Sequence, residues 1–379
     1  APQFRTGISV LRLDASVVDD DGRAIGDLRA EDFQVTLDGR PRKVVYARFT
    51  GTHNGRASGA RDAAVSIPSY VVNTEMAGGR AIVLMVDLES INAGSERPLL
   101  DTAAQLAEKL RPVDAVAVVP LPGQSVDLTR EHRKVAAAIR TLRGTSQMSS
   151  SQYSFTFDEA LAFERRDKRV MAEGIERECR REAAAGLQQT CPPDLQRDTA
   201  EALRNERLHI DMVLNSIVAV AKQLRTVPAP GSIVLISGGL VFEQLSLGRF
   251  QQVERALRDA GISIAAVQVD QPAVEAATSR RMQTSYFASS DLQSGLANLA
   301  TMAGGSFYAG IGTAKGVFER LRTELTEAYE LGVEAEPGDL DGKPHQVRVT
   351  TTRKAKVRAR HYYASEEPST DWPARLAKL

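Results

Sequence analysis

One apolar stretch of the sequence ends in side chains that could bind a cation or move protons. Residues 81–86 are all apolar, and Asp87 follows them, with Glu89 and Ser90 on the next turn. The stretch lacks the polar–apolar alternation of a half-exposed strand, so it predicts a strand buried on both faces. Carboxylate and hydroxyl oxygens are ligands for hard cations, and paired carboxylates can also serve as a general acid and base.

A second stretch of the same kind, residues 233–236, ends in Ser237, Gly238 and Gly239. Parallel strands of an open α/β sheet carry their binding groups beyond their carboxyl ends. Asp87 and Ser237 are therefore expected to lie side by side at one edge of a sheet. The two glycines could face a phosphate, but no Gly-rich loop with a lysine follows them, so a tight turn is favoured.

The composition is that of an ordinary globular chain. Its 379 residues include 48 Lys and Arg against 48 Asp and Glu, so a nucleic acid is not predicted as a partner. No apolar run approaches the roughly 18 residues that span a bilayer. The first residues do not form a signal peptide, and a mature form that has lost one fits the sequence.

The two cysteines, Cys179 and Cys191, lie close together in a polar segment and are therefore expected near the surface. A local disulfide that closes a helix–turn–helix is favoured, which implies an oxidising compartment, secreted or periplasmic. Two unpaired thiols in a cytosolic protein are the alternative. A metal site is disfavoured, because no further cysteine or histidine lies nearby.

Strands and helices alternate between residues 80 and 330, which predicts a mainly parallel sheet covered by helices on both faces. An insertion at about 144–200 interrupts this α/β unit; it is charged and helical, and it contains both cysteines. A long helix is expected at about 199–226, and a closing helix at 314–330.

Both ends of the chain favour β-structure. Residues 1–50 and 331–364 show polar–apolar alternation, and neither segment has enough strands to bury a sheet by itself. The economical prediction is that they pack together as a small β-sandwich into which the α/β unit is inserted. Residues 51–79, rich in Gly, Ala, Ser and Thr, are predicted to be a linker, and residues 365–379 a tail.

Several stretches resemble a known family. The strand that ends in Asp87, the motif Leu235-Ile-Ser-Gly-Gly239 and the closing β-segment resemble the bacterial von Willebrand factor A (VWA)-related proteins common in acidobacteria. Arg177-Glu-Cys-Arg followed by Cys191-Pro is similar to a cysteine-bearing insertion in one subset. The likeness runs through most of the chain and includes residues 299–305, 341–345 and 357–360.

The resemblance implies a Rossmann-like VWA domain, which usually serves adhesion or protein interaction. Many members bind Mg²⁺ at a metal-ion-dependent adhesion site. That site needs an Asp-x-Ser-x-Ser turn after the first strand, a Thr from a middle loop and an Asp after the fourth strand. A cation held in this way keeps one position open for a partner's carboxylate.

Measured against that pattern, the first part of the site is altered. Asp87 fits the first position, but Glu89 and Ile91 stand where the two serines belong, and Ser90 is out of phase with them.

The second part of the site lacks a ligand, because Gly238 stands where the second Asp would be. Thr145 or Ser146 is the candidate for the Thr. We therefore expect a degenerate site and predict no cofactor. Mg²⁺ or Ca²⁺ bound through Asp87 and Glu89 would be held weakly, through waters.

The favoured function is a non-enzymatic binding module that presents the upper loops of its VWA-like domain to a protein or glycan partner. One alternative is a Mg²⁺-dependent adhesion protein with an altered site at Asp87, Glu89 and Ser90. Another is a hydrolase that uses the Asp87 and Glu89 pair. Histidine is not expected to assist, because all five are scattered and predicted on loops, helix surfaces or terminal strands: His53, His132, His209, His345 and His361.

Overall fold

The predicted strands and helices are present in the computed structural model. It describes residues 9–50, 52–53, 56–57, 79–91, 93–94, 96–146, 153, 155–183, 190–227, 229–270, 289–303, 305–311, 314–341, 343–359 and 362–364. The predicted tail at 365–379 and most of the predicted linker at 51–79 lie outside these residues.

The strands are β1 (Ser9–Val18), β2 (Phe33–Leu37), β3 (Arg40–Arg42), β4 (Val44–Phe49), β5 (Thr52–His53), β6 (Arg56–Ala57), β7 (Ala81–Asp87), β8 (Ala115–Leu121), β9 (Val126–Thr129), β10 (Gly231–Ser237), β11 (Ser263–Asp270), β12 (Ser306–Ile311), β13 (Tyr329–Ala335), β14 (Pro344–Thr351), β15 (Lys356–Ala359) and β16 (Tyr362–Ala364). The helices are α1 (Arg97–Glu108), α2 (His132–Thr141), α3 (Phe157–Glu164), α4 (Lys168–Ala183), α5 (Cys191–Leu224), α6 (Leu247–Ala260), α7 (Ser289–Met302) and α8 (Lys315–Thr326).

A six-stranded sheet of order β12-β11-β10-β7-β8-β9 forms the centre of the α/β unit. Its neighbouring strands are parallel except for the edge pair of β8 and β9, which is antiparallel. Every residue of β7 and of β10 is buried, because helices cover both faces of the sheet at these positions. The predicted mainly parallel sheet with helices on both faces is confirmed.

The two faces of this sheet bury separate apolar clusters. On one face, Leu84 of β7 packs with side chains of α1, α2 and α8 such as Leu99, Ile139 and Leu321. On the other face, Met85 of β7 belongs to the cluster formed by α3, α5, α6 and α7. Successive residues of a strand point to opposite faces, so the side chain of Asp87 lies on the same face as that of Met85, towards α5.

Two predicted helix boundaries are wrong. α5 begins at Cys191 rather than near residue 199, because the prolines that follow Cys191 occupy the first turn, where a missing N–H costs nothing. The closing helix ends at Thr326 rather than at residue 330, because Tyr329 already belongs to β13 and pairs with Ala15 of β1.

Strands from both ends of the chain form two further four-stranded sheets, of order β15-β1-β13-β4 and β16-β14-β2-β3. Each sheet combines strands that precede the α/β unit with strands that follow it. Leu13 and Leu331 of the first sheet and Val35 and Val347 of the second belong to one apolar cluster.

Polar contacts join these terminal sheets to the α/β unit. The hydroxyl of Tyr308, on β12, contacts Glu324 of α8 and Arg358 of β15, and the Arg358 guanidinium lies 5.4 Å from the Tyr308 ring centroid. Among the helices that the structure describes, none is both long and apolar enough to cross a membrane.

Candidate functional site

The ends of β7 and β10 meet at the carboxyl edge of the central sheet. The two strands are parallel neighbours, and their register pairs Val86 with Ile236. The hydroxyl of Ser237 donates to Oδ2 of Asp87 at 2.7 Å, and both residues are fully buried. The expectation that these two strand ends lie side by side is confirmed.

Ser90 and Gly238 complete this hydrogen-bond network. Ser90 lies on a 3₁₀ turn that follows β7 directly. Its Oγ is 2.9 Å from the main-chain oxygen of Asp87 and 3.1 Å from Oγ of Ser237, and it accepts a hydrogen bond of 2.7 Å from the N–H of Gly238. Four of the predicted site residues are therefore connected: Asp87, Ser90, Ser237 and Gly238.

Glu89 and Thr145 lie at the same edge but outside the network. The Glu89 side chain is exposed, so the two carboxylates of the predicted Asp87 and Glu89 pair occupy unlike environments. Thr145 is exposed as well, and its N–H donates to the carbonyl of Leu88 at 2.8 Å. This contact holds the loop of Thr145 beside the 3₁₀ turn and leaves its hydroxyl on the surface.

A histidine that the sequence analysis set aside contacts the centre of the site. His209, on α5, places Nε2 at 3.0 and 2.9 Å from the two carboxylate oxygens of Asp87. Its side chain is only 13% exposed. The interpretation of His209 as a helix-surface residue is therefore wrong.

The charge state of His209 follows from these contacts. Burial favours the neutral imidazole, but the charge of Asp87, the hydrogen bond to it and the nearby Glu206 outweigh burial and raise the pKa of His209 well above 6.5. The carboxylate of Glu206 lies 3.9 Å from Nδ1. These contacts favour the imidazolium, which places a positive charge opposite Asp87.

The residues around His209 fix α5 to the loop after β10. The guanidinium of Arg207 binds Glu243 at 2.7 and 2.9 Å, and it also binds Glu164 at the end of α3. Glu206 accepts a hydrogen bond of 3.3 Å from the N–H of Val241. These ion pairs and the hydrogen bond of its neighbours on α5 hold His209 in place.

The donor set does not fit a tight Mg²⁺ or Ca²⁺ site. Hard divalent cations require several oxygen ligands, usually including more than one carboxylate. Here both oxygens of Asp87 contact an imidazolium, Gly238 offers no side chain, and Glu89 is exposed. Within the described ranges, no group of three or more His, Cys, Asp or Glu side chains is arranged to hold a metal ion.

A disulfide links Cys179 of α4 to Cys191 at the start of α5, with 5.7 Å between the Cα atoms. The predicted local disulfide is confirmed. The expected surface position is wrong, because Cys179 is 7% exposed and Cys191 is fully buried. Their polar sequence neighbours lie on other faces of the two helices, and the disulfide belongs to the same apolar cluster as Met85.

Two solved structures are similar in fold to this chain. No family model matches the sequence, and no curated protein matches it. The fold is similar to the human COPII-coat protein Sec24c, with a TM-score of 0.34 and 10% identity over 76% of this chain and 43% of that chain. It is also similar to the N-terminal domain of TFIIH p34, with a TM-score of 0.28 and 13% identity over 66% of this chain and 99% of that chain.

Proposed function

We propose that this protein is a non-enzymatic binding module that presents the carboxyl edge of its central sheet to a protein or glycan partner without a divalent cation. The observation that carries the proposal is the ion pair between His209 and Asp87. The imidazolium supplies the positive charge that a cation would otherwise supply. A second cation next to it would be repelled in an environment of low dielectric constant.

The rest of the network supports a rigid edge that recognises a partner through its surface. Ser90, Ser237 and the N–H of Gly238 hold each other in place, so the loops after β7 and β10 keep a fixed relation. The exposed residues of this edge, Glu89 and Thr145, lie on these loops or beside them. A preformed surface of this kind loses little conformational entropy when it binds.

Other features of the proposal rest on the fold and on the disulfide. We assign residues 80–330 to a VWA-like domain with an altered cation site. We assign the two terminal sheets, formed by β1–β4 and β13–β16, to a β-sandwich into which that domain is inserted, which their shared apolar cluster supports. The disulfide supports a secreted or periplasmic location.

Metal independence is tested by calorimetric titration of Mg²⁺ and Mn²⁺ into the wild type and into Asp87→Asn. We expect no saturable binding by either protein. The competing hypothesis, a Mg²⁺-dependent site at Asp87, Glu89 and Ser90, predicts micromolar binding by the wild type that the substitution removes.

The binding edge is tested by affinity capture from an extract of the source organism, with EDTA present throughout. Glu89→Arg and Thr145→Arg place bulky cations on the proposed edge, while Val113→Arg places one before β8, at the opposite end of the sheet. A partner retained by the wild type and the Val113 control but lost by the edge variants supports the proposal. Equal retention by all four proteins contradicts it.

A further inference from the structure

Helix α8 belongs to the α/β unit, and the chain passes from it directly into the terminal sheets. α8 ends at Thr326 and β13 begins at Tyr329, so only Glu327 and Ala328 separate the two elements. Both the N–H and the hydroxyl of Thr50, the residue that follows β4, donate to the carbonyl oxygen of Ala328 at 2.8 Å. The connection is therefore short, and it is held by a residue at the end of a neighbouring strand.

A second set of contacts joins strand β1 of the terminal sheets to the α/β unit. The guanidinium of Arg80, the residue before β7, lies 3.8 Å from the carboxylate of Asp14 on β1 and 3.5 Å from the carbonyl oxygen of Glu324 on α8. The hydroxyl of Ser16, also on β1, donates to the carbonyl oxygen of Glu327 at 3.4 Å. The charged side chains of this set are largely shielded from water.

The third set of contacts centres on the carboxylate of Glu324, whose side chain is 14% exposed. It accepts a hydrogen bond from the hydroxyl of Tyr308 on β12, and it pairs with the guanidinium of Arg358 on β15. Arg358 also donates to the hydroxyl of Tyr308, and its guanidinium lies over the Tyr308 ring. Two elements of the α/β unit and one strand of the terminal sheets thus share one carboxylate.

These contacts matter because parts of one chain usually move relative to each other unless their interface is large and apolar. The contacts at Arg80, Ser16 and Glu324 are polar, so their charges and hydrogen bonds contribute to how firmly the two parts are joined. Hydrogen bonds to charged groups are stronger than those between neutral groups. A small unit buries a lower fraction of its surface than a large one, so the terminal sheets gain most from the junction.

We propose that Tyr308, Glu324 and Arg358 form a latch that couples the terminal sheets to the α/β unit, so that the two parts unfold as one. Separation of the parts breaks the charge-assisted hydrogen bonds of Glu324 with both partners at once. The latch is a conformational device, because it fixes the orientation of the α/β unit relative to the terminal sheets. This coupling holds whether or not the carboxyl edge binds a partner.

The test is urea unfolding of the full chain, followed by pulsed hydrogen exchange and mass spectrometry, which reads unfolding separately in each strand. Peptides from β13 report on the terminal sheets, and peptides from β7 report on the α/β unit. Leu331 and Leu84, near the centres of these strands, are fully buried. In the wild type both strands should unfold at the same urea concentration, because parts that unfold as one give coincident transitions.

Arg358→Gln removes the positive charge of the latch. The terminal sheets should then unfold at a lower urea concentration than β7. The unfolding equilibrium constant for β13 should rise about tenfold relative to that for β7, as the loss of a bond to a charged group implies. Tyr308→Phe keeps the ring in its buried position and removes only the hydroxyl, so it should separate the transitions in the same direction but by less. It also provides the test if Arg358→Gln fails to fold.

Two control variants remove ion pairs that lie within one part. Arg140→Gln breaks the contact with Glu108 inside the α/β unit, and Arg353→Gln breaks the contact with Asp27 inside the terminal segments, both at 2.8 Å. Each control should leave the two transitions coincident. Separate transitions in the wild type, coincident transitions in both latch variants, or an equal separation in Arg353→Gln would each overturn the inference.

Discussion

Two histidines of this protein make similar contacts in two different settings. His209 pairs with Asp87 in the α/β unit, and His345 pairs with Asp38 and Asp341 in the terminal sheets, at 2.8 and 2.9 Å. Both imidazoles have a raised pKa. For His345 the main cause is the hydrogen bond to Asp38, and for His209 the charge of Asp87 must overcome the opposing effect of burial.

The difference lies in the carboxylates rather than in the imidazoles. The side chains of His209 and His345 are 13% and 10% exposed, but Asp87 is fully buried, whereas Asp38 is 54% exposed and Asp341 36%. A carboxylate that water can reach is solvated again when its partner is lost, and a buried one is not. The exposure of the carboxylate therefore decides how much free energy of unfolding is lost when the histidine of each ion pair is removed.

The largest expected effect is that of His209→Ala, which leaves the buried carboxylate of Asp87 without its cation. We expect a loss of about 3–5 kcal/mol in the free energy of unfolding, measured by urea denaturation. Adding Asp87→Asn to this variant should recover part of the loss, because the uncompensated charge is then removed. A loss below about 1 kcal/mol would contradict this expectation, since it would mean that Asp87 is solvated as Asp38 is.

Alkaline pH should reproduce part of this loss without a mutation. The folded-state pKa of His209 lies above its value in the unfolded chain, so the stabilisation is complete below about pH 6.5. It disappears as pH rises through the raised pKa. Its full size is about 1.4 kcal/mol for each unit by which the folded-state pKa exceeds the unfolded-state pKa. Urea denaturation between about pH 6 and pH 10 should therefore show a steeper decline for the wild type than for Asp87→Asn/His209→Gln. Parallel curves would contradict the assignment of an imidazolium.

Ser237→Ala should have an intermediate effect, because it removes one hydrogen bond to the buried carboxylate. The expected cost in the free energy of unfolding is about 1.5–3 kcal/mol, typical of a bond to a charged group. Ser232→Ala is the matched control on the same strand, since its hydroxyl bonds the neutral Ser263 at 3.0 Å. Its cost should be about 1 kcal/mol or less. Equal costs would show that the charge of Asp87 adds nothing to the bond with Ser237.

His345→Ala should have the smallest effect, about 1 kcal/mol or less in the same urea experiment. Its two carboxylates return to water when the imidazole is removed. A loss as large as that of His209→Ala would show that exposure of the partner is not what distinguishes the two clusters.

The central sheet and the meeting of two strand ends were predictable from the sequence. Strands buried on both faces leave continuous apolar runs, and parallel strands aim their carboxyl ends at one edge. Asp87 and Ser237 could therefore be placed together from two runs far apart in the chain.

His209 could not be placed with them, because a contact between residues so far apart depends on which face of α5 meets the sheet. A signal was nevertheless present. His209 precedes Val213 and Ile217 at helical spacing, so it continues the apolar stripe that α5 buries. A helix of this kind covers a strand that ends in a carboxylate. A histidine in its buried stripe is therefore a candidate partner for that carboxylate.

The burial of the cysteines was missed for a related reason. Polar neighbours in sequence suggest exposure in a loop, but in a helix they occupy other faces than the cysteine does. Cys179 and Cys191 are therefore buried within segments that are charged overall.

The length of α5 connects the insertion to the carboxyl edge of the central sheet. One uninterrupted helix of 34 residues extends for about 50 Å, carrying the disulfide in its first turn and His209 near its middle. The insertion and the imidazole that contacts Asp87 are therefore parts of one continuous helix.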